Sequence, residues 1–105
     1  MAMQARSKKK QKWLPGESMT TMDHYVIQRW AEERGGKPAL NPGLGLEAGI
    51  LHIDFCEYPD ESAFLKEITW REFFVRFEES KLVFLYQEET TEGKQSRFNK
   101  LVSRR

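Results

Sequence analysis

Leu82-Val83-Phe84-Leu85-Tyr86 constrains this chain more than any other segment, because five consecutive apolar residues place hydrophobic side chains on both faces of an extended backbone. Such a strand belongs in the middle of a sheet, covered on both sides or covered on one and flanked on the other. It therefore demands partners. Leu51, Ile53 and Phe55 alternate with His52 and Asp54, the period of a half-buried strand, and Lys37 to Leu40 reads as a short extended piece. Phe64 to Ile68 reads as a brief strand or a turn.

Two helical patterns separate these runs. Val26, Ile27, Trp30 and Ala31 follow helical spacing, with Arg29, Glu32, Glu33 and Arg34 opposite, which predicts a helix over Met22 to Arg34. Thr20 or Thr21 is its expected N-cap, Asp23 lies in its first turn, and Gly35-Gly36 supplies the left-handed stop. Thr69-Trp70-Arg71-Glu72 has the form of a capping box, and Trp70, Phe73, Phe74 and Phe77 then make one aromatic stripe on a helix ending near Ser80. Base stacking by that stripe is the alternative to a core role. Ser96 to Val102 is a last strand or, as the i, i+3, i+4 spacing of Phe98, Leu101 and Val102 slightly favours, a short helix capped by Ser96. The element order predicts an α+β fold: a small, mainly antiparallel sheet with two main helices packed on one face, in a single domain.

A chain of 105 residues holds one domain at most, and residues 1–19 have no apolar periodicity. We expect a disordered basic arm over 1–19 and a compact domain over 20–105. Three Trp, three Tyr and seven Phe supply the core of that small domain. The single Cys56 cannot form an internal disulfide, and with two His it cannot complete a four-ligand zinc site unless carboxylates join, so a reducing, cytoplasmic setting fits. No run approaches the roughly 20 apolar residues of a membrane helix, so no membrane partner is expected, and the charged N-terminus has no apolar stretch of a secretory signal behind it.

Charge is strongly segregated. Met1 to Met19 carries Arg6, Lys8, Lys9, Lys10 and Lys12 against Glu17 alone, and Lys94 to Arg105 carries Lys94, Arg97, Lys100, Arg104 and Arg105 with no acid. Between them, seven basic residues face fifteen acidic ones, so basic ends flank an acidic body in a chain of formal net charge +1. Clustered cations attract phosphates even when the whole molecule is near neutral. Folding back on the acidic middle is the other use for them.

Several segments invite specific chemistry. Gly43-Leu44-Gly45-Leu46-Glu47-Ala48-Gly49 is superficially like a dinucleotide-binding loop, but such a loop needs a strand before it and a helix after it, and here a strand follows. His52 and Cys56 share a strand face, yet four strand residues span roughly 13 Å, so a thiol and imidazole dyad needs a bend at Cys56; a half-buried thiol and a surface histidine are the plainer expectation. Asp54, Glu57, Asp60 and Glu61 form an acidic loop without the alternating ligands and turn glycine of a calcium site. No catalytic residue, metal site or cofactor is therefore assigned.

Trp30-Ala31-Glu32-Glu33-Arg34-Gly35-Gly36-Lys37-Pro38-Ala39, Leu51-His52-Ile53-Asp54-Phe55, Thr69-Trp70-Arg71-Glu72-Phe73-Phe74, Leu85-Tyr86-Gln87-Glu88-Glu89-Thr90 and Ser96-Arg97-Phe98-Asn99-Lys100-Leu101-Val102 together resemble a family of small bacterial proteins. Its members are mostly uncharacterised, and some carry a glucan branching enzyme label. The resemblance covers about Thr20 to Arg104, leaves the basic arm outside, and implies one compact domain without supplying a reaction. A branching enzyme is excluded on size, since a glycosidase-type barrel takes about 250 residues.

Two sets of binding residues follow. Gln87 and Glu89 face Arg97, Asn99 and Lys100 across the turn at Glu92-Gly93, either as a recognition site or as an internal network closing the C-terminus onto the sheet. Lys8, Lys9, Lys10 and Lys12 with Trp13 nearby, and Arg104 and Arg105 at the other end, are candidate polyanion contacts. The expected function is a non-enzymatic intracellular binding module associating with nucleic acid or another polyanion. The alternative is a protein-interaction adaptor that uses the acidic body or a sheet edge.

Overall fold

The computed structural model describes residues 13–42, 50–57 and 64–104. Within them the chain runs β1 (Ser18–Thr21), α1 (His24–Glu33), β2 (Lys37–Leu40), β3 (Leu51–Asp54), β4 (Lys66–Glu67), α2 (Trp70–Glu79), β5 (Leu82–Gln87) and β6 (Asn99–Ser103). This is an α+β fold with two helices. Its strands divide between two antiparallel three-stranded sheets, ordered β1-β5-β6 and β3-β2-β4, where one sheet was expected. β5 takes the central place in the first, as its doubly apolar sequence requires.

Both helices start at identifiable caps. Asp23, rather than Thr20 or Thr21, caps α1: its Oδ1 accepts from the Tyr25 and Val26 N–H groups at 2.9 and 3.4 Å. The threonines are drawn into β1, and the Thr21 hydroxyl accepts the Asp23 N–H at 3.0 Å. Thr69 caps α2 through the Glu72 N–H at 3.0 Å, while the Glu72 carboxylate lies 3.5 Å from Arg76, one turn further on.

The end of α1 is sharply determined. Gly35 adopts φ +75, a left-handed conformation that side chains resist, and the Gly36 N–H reaches back to the Ala31 carbonyl at 2.8 Å. A Cβ on Gly36 would stand 2.6 Å from Ile53 Cγ2, so this glycine lets β2 begin directly against β3.

α2 packs on β5 of one sheet and on β2 and β3 of the other, so a single core joins the layers. Ile27, Trp30 and Ala31 of α1 meet Phe73 and Phe77 of α2, Leu82, Phe84 and Tyr86 of β5, and Leu40, Leu51 and Ile53. Burying each of the larger side chains contributes about 1.5–3 kcal/mol. Trp30 lies edge-on to Phe84 with centroids 5.3 Å apart, and the aromatic stripe of α2 is core, Phe73 and Phe77 fully and Trp70 and Phe74 partly.

Two expectations are corrected here. The Ser96–Val102 run is not a helix: Asn99–Ser103 forms β6, paired with Leu82–Tyr86 in the register Leu82↔Ser103 to Tyr86↔Asn99. The spacing of Phe98, Leu101 and Val102 fits either state, and the unsatisfied flank of β5 selects the strand. The ordered body also begins before Thr20, because Ser18 and Met19 pair with Gln87 and Tyr86; residues 1–12 lie outside the described residues.

Candidate functional site

The most densely built polar site centres on a residue that helical periodicity assigned to the solvent face. Arg34, at the C-cap of α1, has a side chain only 2% exposed. Its guanidinium donates to the Trp30 carbonyl at 3.0 Å, the Glu88 carbonyl at 3.0 Å, the Glu88 carboxylate at 3.1 Å, and the Ser96 carbonyl. It also lies 4.4 Å from the centroid of the Trp30 ring. The planar fork thereby ties the end of α1 to both sides of the turn between β5 and β6. Burial of a charge is tolerated because every direction of the fork meets a carbonyl or a carboxylate. The recoverable signal is Trp30 and Arg34 at i, i+4, followed at once by the chain reversal at Gly35-Gly36.

Around this clamp the ladder between β5 and β6 is diverted. The Gln87 N–H donates to the Phe98 carbonyl at 3.2 Å, but the Gln87 carbonyl takes the Trp30 indole N–H at 3.1 Å, and the Phe98 N–H goes to the Ser96 hydroxyl at 3.1 Å. The Tyr86 hydroxyl lies in the same region, its pKa pushed up by burial and by Glu88, with Arg29 opposing.

The candidate recognition residues separate rather than converge. The Gln87 amide donates to the Gly16 carbonyl at 3.1 Å, and the Glu89 carbonyl accepts the Gly16 N–H at 2.8 Å, both stapling the segment before β1. Arg97 forms an exposed ion pair with Glu57 and lies 5.5 Å from the Phe55 centroid. The Asn99 amide donates locally to the Arg97 carbonyl at 3.0 Å. Lys100 is exposed and, among the described residues, has no ion pair.

Of the polyanion candidates, Lys8, Lys9, Lys10, Lys12 and Arg105 lie outside the described residues. Arg104 folds inward: its Nε and Nη2 donate to the Leu82 carbonyl at 3.2 and 2.8 Å, and Nη2 lies 3.4 Å from Glu78. Glu78 is shared with His24, whose Nε2 is 2.7 Å away while its ring stacks on Phe74 at 4.1 Å. The His24 hydrogen bond holds the Glu78 carboxyl below its ordinary value; partial desolvation opposes this and Arg104 assists it.

Cys56 is exposed, not half-buried, with φ 59, and its N–H is held by Asp54 Oδ1 at 2.8 Å. Asp60, Glu61 and the glycine-rich run 43–49 lie outside the described residues, among which no group of three or more His, Cys, Asp or Glu side chains is placed to hold a metal. Nor is any helix there long and apolar enough to cross a membrane.

Among the described residues, a cleft and a sheet face can receive something. One is an open cleft of about 480 Å³ where Gly35-Gly36, Lys37 and Pro38 meet Ile68, Thr69 and Trp70, with Glu32 and Glu67 also lining it. The other is the outer face of the β1-β5-β6 sheet. The register puts Ser18 and Thr20, Val83, Leu85 and Gln87, and Lys100 and Val102 on this face, away from both helices, and Phe98, just before β6 and bonded through its carbonyl to the Gln87 N–H, continues the same period. Val83 and Leu85 are half-buried, and Phe98 and Val102 are 42% and 36% exposed. No protein-family model, curated protein or solved structure matches this chain.

Proposed function

We propose that this chain is a non-enzymatic protein-interaction module that docks a strand-forming partner on the open face and free edge of its β1-β5-β6 sheet. The supporting observation is the incomplete cover of β5. Leu82, Phe84 and Tyr86 enter the core, while Val83 and Leu85 face outward beside the exposed Phe98 and Val102. An apolar sheet face next to an unpaired edge is a ready template for another chain. A photo-crosslinking residue at Val102 tests this, with one at exposed Val75 on α2 as control. The expected result is a discrete protein adduct, identified by mass spectrometry, from position 102 and not from 75. Equal yields from both positions would overturn it.

Charge segregation favours a second reading, nonspecific polyanion binding through the basic N-terminal segment. Arg97 and Arg104 already have carboxylate partners, so Lys8, Lys9, Lys10 and Lys12 carry most of it. Deleting residues 1–12, which spares β1, should abolish salt-dependent DNA and RNA binding. Binding unchanged by the deletion, or absent from the full chain at low salt, refutes this reading.

A further inference from the structure

We infer that the docked partner is an acidic extended segment that adds antiparallel to β6, with a carboxylate opposite Lys100 and apolar residues, two positions away on either side, opposite Phe98 and Val102. This deepens the sheet-docking reading and rests on it. The edge itself is defined by the ladder. The Gln87 N–H donates to the Phe98 carbonyl and the Arg104 N–H to the Lys81 carbonyl at 2.7 Å, which fixes the parity of β6. The backbone groups of Lys100 and Val102, with the Phe98 carbonyl and the Arg104 N–H, therefore point toward β5. Those of Asn99, Leu101 and Ser103 point away from the sheet, where among the described residues no further strand pairs with β6.

That parity also decides what the new strand meets. Relative to an incoming antiparallel strand, Lys100 occupies a non-hydrogen-bonded position, where facing side chains come closest, with Cβ atoms about 4.5–5.5 Å apart. On the outer face it is flanked at period two by Phe98 and Val102, so the edge presents apolar, basic, apolar in sequence. None of the eight side chains on that face is acidic, and Lys100 is its single charge. The Arg97 and Arg104 charges nearby are matched by Glu57 and Glu78; that of Lys100 is not, among the described residues. The opposite edge, β1, offers Ser18 and Thr20 on this face and no cation, which makes β6 the selective edge. A second copy of the chain is a poorer occupant, because antiparallel β6 strands would bring together two segments that carry five cations and no acid between Lys94 and Arg105.

The test is fluorescence anisotropy of the full chain with labelled nine-residue peptides, Ile, Glu and Ile at positions three, five and seven and Thr elsewhere, against versions with Lys or Gln in place of Glu. The Glu peptide should bind about 10-fold tighter than the Lys peptide at low salt, as expected for exchanging an attractive for a repulsive cross-strand pair, and the gap should narrow in high salt. Lys100→Glu should invert the order. Ser103→Pro removes an outward N–H without touching the β5 ladder and should weaken every peptide about 5-fold, with an unchanged melting curve showing that the fold is intact.

Equal binding of the Glu and Lys peptides, both weakened by Ser103→Pro, overturns the acidic assignment and leaves sheet docking in place. Self-association of the free chain, abolished by Ser103→Pro, overturns it in favour of a second copy. No binding by any peptide and no shift of the Val83, Leu85 and Val102 amide resonances overturns it together with docking on this face.

Discussion

Replacing Arg34 with alanine is the most incisive perturbation of this fold. It removes four hydrogen bonds at once, leaving the Ser96 carbonyl and a Glu88 carboxylate only 17% exposed without their donor and the Glu88 carbonyl with the Ser96 N–H alone. A hydrogen bond from a charged donor contributes about 1.5–3 kcal/mol, but such bonds within one network do not add. Breaking a buried pair by deleting one partner costs about 3–5 kcal/mol, so we take about 4 kcal/mol for the whole change. A domain of roughly 90 residues at about 0.05–0.15 kcal/mol per residue has a total stability on the order of 4–14 kcal/mol, of which this is a large part. The expected fall in Tm is about 15–30 °C by circular dichroism. Arg34→Lys keeps the charge but loses the planar fork and the stacking on Trp30, and should cost about half as much. Because the clamp holds the turn from which β6 departs, β6 amides should also exchange hydrogen faster than those of β5 in both variants. Arg29→Ala, at an exposed pair with Glu33, serves as a control and should leave Tm unchanged. A loss below about 1 kcal/mol in Arg34→Ala, or full additivity with Glu88→Gln, would refute the clamp.

Four further perturbations follow from the same geometry. Glu78 is held below its ordinary pKa in the folded state, so its contribution is present above the usual carboxylate value and is lost as pH falls through the folded value. The Tm gap between wild type and Glu78→Gln should therefore close in acid, and also in high salt, since the pair with His24 is exposed. Tyr86 is displaced the other way: neutral in the fold past the ordinary value of 10.0, it stabilises fully below that pH and less as pH rises through the folded value. Tyr86→Phe should flatten the alkaline limb of the stability profile, and an unchanged limb would exclude Tyr86 as its cause. Gly36→Ala drives a Cβ to 2.6 Å from Ile53 and 2.8 Å from Phe55, and should cost about 1–3 kcal/mol by urea denaturation. Gly35→Ala meets no atom within 4 Å and should cost only the strain of φ +75, about 1 kcal/mol.

Local patterning in the sequence determined much of the architecture. Thr69 and the spacing of Trp70, Phe73, Phe74 and Phe77 specify α2, and Leu51, Ile53 and Phe55 specify β3, because side-chain period and cap chemistry are properties of a few adjacent residues. The doubly apolar run likewise placed β5 at the centre of a sheet. Pairing is not local. Which strands share a sheet, and so the division into β1-β5-β6 and β3-β2-β4, depends on how α2 wedges between them.

The candidate site divides the same way. Gln87, Arg97, Asn99 and Lys100 were legible as polar residues around one turn, but only the register sent Asn99 to the core side and Lys100 to the open face. Arg34 was invisible to helical periodicity, since its burial is produced by residues 54 and 62 positions away closing over it. Sequence alone thus settled which segments are apolar on which period. The tertiary structure decided which charges are held inside the fold and that Lys100 faces outward on the open sheet face, because desolvation and hydrogen bonding depend on neighbours that the chain brings together only when it closes.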